Sequence, residues 1–97
     1  MKVRNMTSSR GNDVPNQFII SGVTIRNSLF EGDMFQSYDS SIVFIDNRGN
    51  VFLDKRYWDY SVTTGRYRNQ FLNETKKETQ AKIDNGEYIL TDLNGGD

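Results

Sequence analysis

Four cations, Lys55, Arg56, Arg66 and Arg68, interleave along one short stretch with four aromatic residues, Tyr57, Trp58, Tyr60 and Tyr67. Cationic side chains meet phosphate or carboxylate, and rings stack on bases or fill a partner's pockets, so this mixture has the chemistry of a contact surface. The alternative reading is a core of aromatics rimmed by solvated cations. A second set is polar: Asn16, Gln17, Gln36, Ser37, Tyr38, Asp59, Ser61 and Thr64 sit beside apolar strand or helix positions and are candidates to line a pocket. Asp59 and Ser61 have an equally ordinary use, tying a strand-to-helix turn to backbone amides. Asp54 and Asp59 do not amount to a carboxylate pair or a magnesium site, because nothing in the sequence fixes their separation. Arg10-Gly11-Asn12 could cradle an anion through backbone amides, but it lacks the spacing of a phosphate-binding loop.

The composition removes most catalytic options. The chain has no histidine and no cysteine, which takes away the commonest general base, the commonest metal ligand, thiolates and disulfides. No arrangement of the remaining residues forms a catalytic or metal signature. The expectation is a protein that is not an enzyme and uses no cofactor. Twelve basic and 13 acidic residues leave a formal charge of -1, with no general pull toward nucleic acid or anionic membrane, so electrostatic contacts must be local.

Ninety-seven residues allow one domain. Mean hydropathy is low, at -0.71, yet 12% aromatic residues argue for a folded chain over a disordered one. The elements that must position the candidate residues follow from period and punctuation. Residues 1–16 read as a polar N-terminal arm and loop, with Pro15 pushing Val14 toward an extended conformation. Gln17–Ile20 reads as a strand closed by Ser21-Gly22 and paired in a hairpin with Val23–Ile25. Asn27–Asp33 reads as a loop whose Leu29 and Phe30 fold inward, and Met34–Tyr38 as a strand broken at Asp39–Ser41.

Ile42–Ile45 is apolar on both faces, as a central strand must be. One face then needs a cover other than the helices: a homodimer partner, another protein, or Leu29 and Phe30 as a lid. Asp46–Asn50, with Gly49 in the left-handed position, predicts a hairpin to Val51–Leu53.

Past Trp58 the period changes, since Tyr67 and Phe71 lie four apart on one helix face. Thr63 is the expected N-cap, with Val62 stapled to Tyr67. Gly65 in the first turn costs up to about 1 kcal/mol relative to alanine, and a close neighbour is one explanation for it. Thr75 and Glu78 form a capping box that opens a second helix, Asn85-Gly86 closes it, and Glu78 is placed to pair with Lys82. Thr79, Ala81 and Ile83 are its candidates for burial. Glu87–Thr91 returns as a last strand, and residues 94–97 read as a frayed tail. The pattern predicts one α+β domain over 1–97: a mostly antiparallel twisted sheet of about four or five strands, with two helices from the C-terminal half on one face.

Several short motifs recur together: Thr7–Asn12 with Val14–Phe18, Phe35–Tyr38 with Ser40, Trp58–Ser61 with Thr63-Thr64, Tyr67-Arg68 and Phe71-Leu72, and Tyr88–Thr91. As a set they resemble a family of small bacteriophage-encoded proteins known only as a domain of unknown function. The resemblance runs almost end to end and carries over no catalytic residues. It implies expression in the cytoplasm of an infected bacterium, consistent with a chain that shows no signal-peptide pattern and no apolar run near the roughly 20 residues of a membrane span.

Small phage accessory proteins often bind and block a host factor, including restriction or CRISPR nucleases and signalling systems. The leading expectation is therefore a non-enzymatic, anti-CRISPR-like antagonist that binds a host protein through Lys55, Arg56, Trp58, Tyr60, Arg66, Tyr67 and Arg68. One alternative is a nucleic-acid-binding module using the same residues. Another is a sponge for a small anionic signalling nucleotide.

Overall fold

Alternating side chains and well-marked turns draw six strands and two helices from the residues described in the computed structural model, 1–26 and 28–95. They follow in the order β1 (Lys2–Thr7), β2 (Asp13–Val23), β3 (Gly32–Ser37), β4 (Ser40–Asp46), β5 (Val51–Asp54), α1 (Val62–Leu72), α2 (Lys76–Asp84) and β6 (Ile89–Thr91). The strands lie side by side in chain order, antiparallel except that β6 runs parallel to β5. A parallel return needs a crossover of a dozen or more residues, and the two helices provide it. The α+β architecture is as expected, with one strand more than the upper count.

The sheet buries side chains on both faces. Phe35, Val43 and Leu53 join Met6, Tyr67 and Tyr88 in a core under the helices, where Phe71 stacks on Phe35 with centroids 5.9 Å apart. Met34, Phe44 and Phe52 point the other way and are covered by Ile20, Val23, Ile25 and Leu93. The strand Ile42–Ile45 is thus central and two-faced, as expected, but its second face is closed by the chain itself. The reason for a homodimer through this strand disappears. Leu29 is 94% exposed and is no lid, while Phe30 lies beneath the Arg48 guanidinium, 4.6 Å from its ring centroid. Asn27 lies outside the described residues.

The expected N-terminal arm is strand β1, a tight turn and the start of β2. An edge strand with one open edge tolerates polar residues, so Lys2, Arg4 and Asn5 hid it from a reading based on alternation. In the turn, the Ser8 hydroxyl accepts the amides of Arg10 and Asn12, so those donors are already used and the anion-cradle reading of Arg10-Gly11-Asn12 loses its basis. Val23–Ile25 is not a separate hairpin strand. β2 continues to Val23 through a register shift between Ser21 and Val23, with Gly22 at φ +73°.

The Asp46–Asn50 hairpin forms as predicted: the Gly49 amide donates to Asp46 O at 3.0 Å, and Gly49 is left-handed at φ +87°. The Asp46 carboxylate accepts from the amides of Arg48 and Asn50, the Asn50 side chain and Ser28. Burial pushes its carboxyl up, but those four bonds together hold it below its ordinary value.

The N-cap of α1 is Ser61, whose hydroxyl accepts the Thr64 amide, and Val62 points to solvent, so neither the Thr63 cap nor the Val62 staple occurs. Ser61 at φ -153° has the extended backbone that a cap requires, and Thr63 is already inside the helix. The Thr75–Glu78 capping box of α2 is present with both bonds. Gly86, at φ +83°, follows its C-cap Asn85.

Of the burial candidates on α2, Thr79 is buried, Ile83 half-buried and Ala81 exposed. Lys82 pairs with Glu74 at 2.7 Å, not with Glu78. Glu74 also accepts from Thr79 at 2.6 Å and from the Tyr88 hydroxyl at 3.0 Å, which fastens α2 and the entry to β6 onto the end of α1. Burial raises the Glu74 carboxyl, yet these three donors outweigh it and leave it below the ordinary range. The tail is anchored as far as Asn94, which exchanges two hydrogen bonds with the Ser41 backbone, and residues 96–97 lie outside the described residues.

Candidate functional site

The basic and aromatic stretch divides between core and surface. Arg68 is 1% exposed. Its Nη1 donates to the Trp58 carbonyl at 2.6 Å and its Nη2 to Asn69 Oδ1 at 3.0 Å, while the Asp59 carboxylate stands 3.4 Å away. The guanidinium lies 5.2 Å from the Trp58 ring centroid, and a Cβ on Gly65 would stand 3.5 Å from Nη2. That is an ordinary contact distance, so a Cβ would fit and Arg68 does not require glycine at this position. Burial draws the guanidinium below its ordinary value, with Asp59 and Glu74 opposing, and an arginine so placed stays charged. Tyr67 is buried as well.

Both had been expected on the contact surface. They turn inward because α1 presents Thr64, Tyr67, Arg68 and Phe71 on one face, and a spacing of three and four residues binds Arg68 to that face whatever its charge.

What remains outside is organised by Asp54. This carboxylate is buried and accepts the amides of Arg56 at 3.0 Å, Tyr57 at 2.8 Å and Leu93 at 2.9 Å, while the Asp54 carbonyl accepts from the Trp58 amide. Three of these bonds hold residues 56–58 of the loop 55–61 that joins β5 to α1, and the fourth ties Leu93 to the same carboxylate. From it project Lys55, Arg56 and Tyr60, the last 65% exposed, with half-buried Tyr57 between them. The Tyr57 and Tyr60 rings meet edge-on with centroids 5.4 Å apart, and the Arg56 guanidinium lies 6.0 Å from the Tyr57 ring. Trp58 is half-buried and serves this loop as the platform for Arg68.

Arg66 faces a different place, an open cleft of about 560 Å³ beside the first turn of α1, with Asp59, Ser61, Gly65 and Lys76. Asp59 occupies that cleft's cations itself. The Lys76 ammonium, 2.8 Å away, holds the Asp59 carboxyl below its ordinary range against the opposite pull of burial, with Arg68 adding to it. An incoming anion would find Arg66 as the one cation lining the cleft that has no carboxylate partner among the described residues.

The polar set does not form one pocket. Ser37 and Thr64 are buried and share a 2.8 Å hydroxyl bond that ties α1 to the end of β3. Gln17 lies across from Ser37 on β2, 0% exposed, and neither its Nε2 nor its Oε1 has a hydrogen-bond partner among the described residues. Ser61 ties the turn as expected, through the Thr64 amide, whereas Asp59 pairs with the Lys76 and Arg68 side chains and with no backbone amide among the described residues. Asn16 and Tyr38 are exposed and adjacent, with the Tyr38 amide donating to Asn16 O at 2.7 Å, and Gln36 Nε2 donating to Tyr38 O at 2.9 Å.

Register places Tyr38 at the same end of the sheet as the loop 55–61. Ser37 pairs with Ser40 around the turn, β4 sets out from there, and Val43 opposes Leu53 one residue before β5 ends at Asp54. That end therefore gathers Tyr38 and Asp39 with Lys55, Arg56, Tyr57 and Tyr60.

A cleft of about 440 Å³ on the helix side of the sheet went unread in the sequence. Arg4, Met6 and Ile19 line it with Asp33, Ile45 and Phe71, where α1 leaves the sheet bare. Recognising β1 would have exposed its floor, since Arg4 and Ile19 are register partners. Among the described residues no group of three or more acidic, histidine or cysteine side chains could hold a metal ion, and no helix is long and apolar enough to cross a membrane.

Compared with known proteins, residues 1–87 match a family model described as a family of unknown function (DUF8033). No curated protein and no solved structure was found to match the chain.

Proposed function

The chain belongs to this family of unknown function, and we propose, on its sequence resemblance to small bacteriophage-encoded proteins, that it is a non-enzymatic phage accessory protein that binds a host protein and antagonises a host defence system. The observation that carries the binding role is the rigid loop 55–61. Interface energy concentrates in tyrosine, tryptophan and arginine side chains, and a surface held in place before binding loses less entropy when the partner arrives. Here Arg56, Tyr57 and Tyr60 project from a loop that the Asp54 carboxylate locks through its amides. Burial of Arg68 removes one of the four cations that a nucleic-acid reading would use, which favours a protein partner over a phosphate backbone. The phage setting and the antagonist role rest on the sequence resemblance alone.

Affinity capture from bacterial lysate tests the reading. The wild-type chain should retain a stoichiometric protein partner, and the double variant Arg56→Ala/Tyr60→Ala, which alters exposed groups and should fold normally, should release it. Equal recovery by the folded double variant would discard this surface. Retention of nucleic acid with a steep salt dependence would replace the protein reading with the nucleic-acid one.

A further inference from the structure

The turn between β3 and β4 holds a residue that the fold does not explain. Ser37 and Ser40 are paired, so the turn consists of Tyr38 and Asp39 alone, and Tyr38 sits at φ +55°. Left-handed backbone in a two-residue turn is the province of glycine, asparagine and aspartate, and for a bulky side chain it is a true outlier. Strain of this kind persists when the surroundings impose it, and it concentrates at functional sites. The surroundings are visible: Asn16 O and Gln36 Nε2 clamp the Tyr38 backbone from both sides, and Asn16 is itself left-handed at φ +67°. The ring is only half covered, Tyr38 being 50% exposed, and its hydroxyl has no hydrogen bond among the described residues, so the fold draws from it only part of what a fully buried tyrosine gives.

We infer that Tyr38 is an anchor of the protein-binding surface, its ring held outward by a strained turn for insertion into an apolar socket on the partner. The inference rests on the binding role proposed above and extends that surface from the loop 55–61 to the neighbouring turn. The partner is a protein because Asp39, exposed in the same turn, would stand against the phosphates that Lys55 and Arg56 could otherwise follow along a nucleic acid. Lys55 and Arg56 form no ion pair among the described residues, which leaves both free to meet carboxylates on the rim of such a socket.

Two variants, Tyr38→Asn and Tyr38→Gly, separate strain from contact. Urea denaturation needs no partner: both variants should match or exceed the wild-type midpoint, with Tyr38→Asn moving it upward. A lower midpoint for both would show that the ring serves the fold, and the inference would fall. Binding is then measured with the protein that the wild-type chain retains from lysate, purified, and with a labelled mixed-sequence single-stranded DNA. The variants should bind the protein at least about tenfold more weakly and should not differ on DNA. Wild-type affinity in both variants, alongside loss in Arg56→Ala/Tyr60→Ala, would overturn the anchor and leave the proposed function standing. No protein retained by the wild type would end both, and DNA binding that depends on Tyr38 would overturn the assignment to a protein partner.

Discussion

Replacing Arg68 with alanine should unfold much of the protein's margin, whereas Arg66→Ala, two residues earlier on the same helix, should be nearly silent. The magnitude follows from what the guanidinium holds. Loss of its bonds to the Trp58 carbonyl and Asn69, at about 1.5–3 kcal/mol for a charged hydrogen bond, leaves a carbonyl without its donor. The empty volume beneath Trp58 adds a cavity cost. The lost bonds and the cavity together give an expectation of about 3–5 kcal/mol, against a net stability on the order of 5–15 kcal/mol for a domain.

The ion pair is the smaller part. Asp59 stands 3.4 Å from Nη1 and its side chain is 38% exposed, so Asp59→Asn should cost only about 0–1 kcal/mol. Exposed Arg66 should change stability by about 0.5 kcal/mol or less. Urea denaturation followed by the fluorescence of Trp58, the only tryptophan and a direct neighbour of the guanidinium, reads all three. With a slope of roughly 1–2 kcal/mol/M the Arg68→Ala midpoint should fall by about 1.5–5 M, or the variant should be unfolded without denaturant. Arg68→Ala and Arg66→Ala within about 0.5 kcal/mol of each other would refute the reasoning. Loss of partner binding in Arg68→Ala should track unfolding and carries no information about a contact.

Two other expectations concern stability. Glu74 has a folded value below its ordinary one, so its stabilising contribution is complete above the unfolded value of about 4.3 and drains away as pH falls through the folded value. Glu74→Gln should therefore cost about 1.5–3 kcal/mol at pH 7, and its disadvantage should shrink below about pH 4, as denaturation midpoints over a pH series would show. A constant difference across that range would mean that the carboxylate charge contributes nothing. Gln17→Met, which keeps the side chain's length and removes two unpartnered polar atoms, should raise stability by about 1–3 kcal/mol in the same assay. A loss of stability would show that the amide finds a partner in solution.

Much of the fold was legible because local chemistry decided it. Gly49 in its turn, the Thr75–Glu78 box and the Asn85-Gly86 stop are set by backbone preferences that act within a few residues, and all three hold. The two-faced burial of Val43 and Phe44 was readable from an unbroken apolar run. Period alone could not show β1, since a polar edge strand acquires its structure from the β2 backbone it pairs with. Nor could charge show where the arginines go. Arg66 and Arg68 differ in the helix face they occupy, and Arg68 is drawn inside by the Trp58 carbonyl, an acceptor ten residues away that exists only once the loop 55–61 has closed.

The candidate site divides along the same line. Residue types alone marked Lys55, Arg56 and Tyr60 as contact chemistry. That Tyr38 joins them, and that Tyr67 and Arg68 leave them, depends on strand register and helix docking, which bring together residues whose neighbours in the chain say nothing of each other.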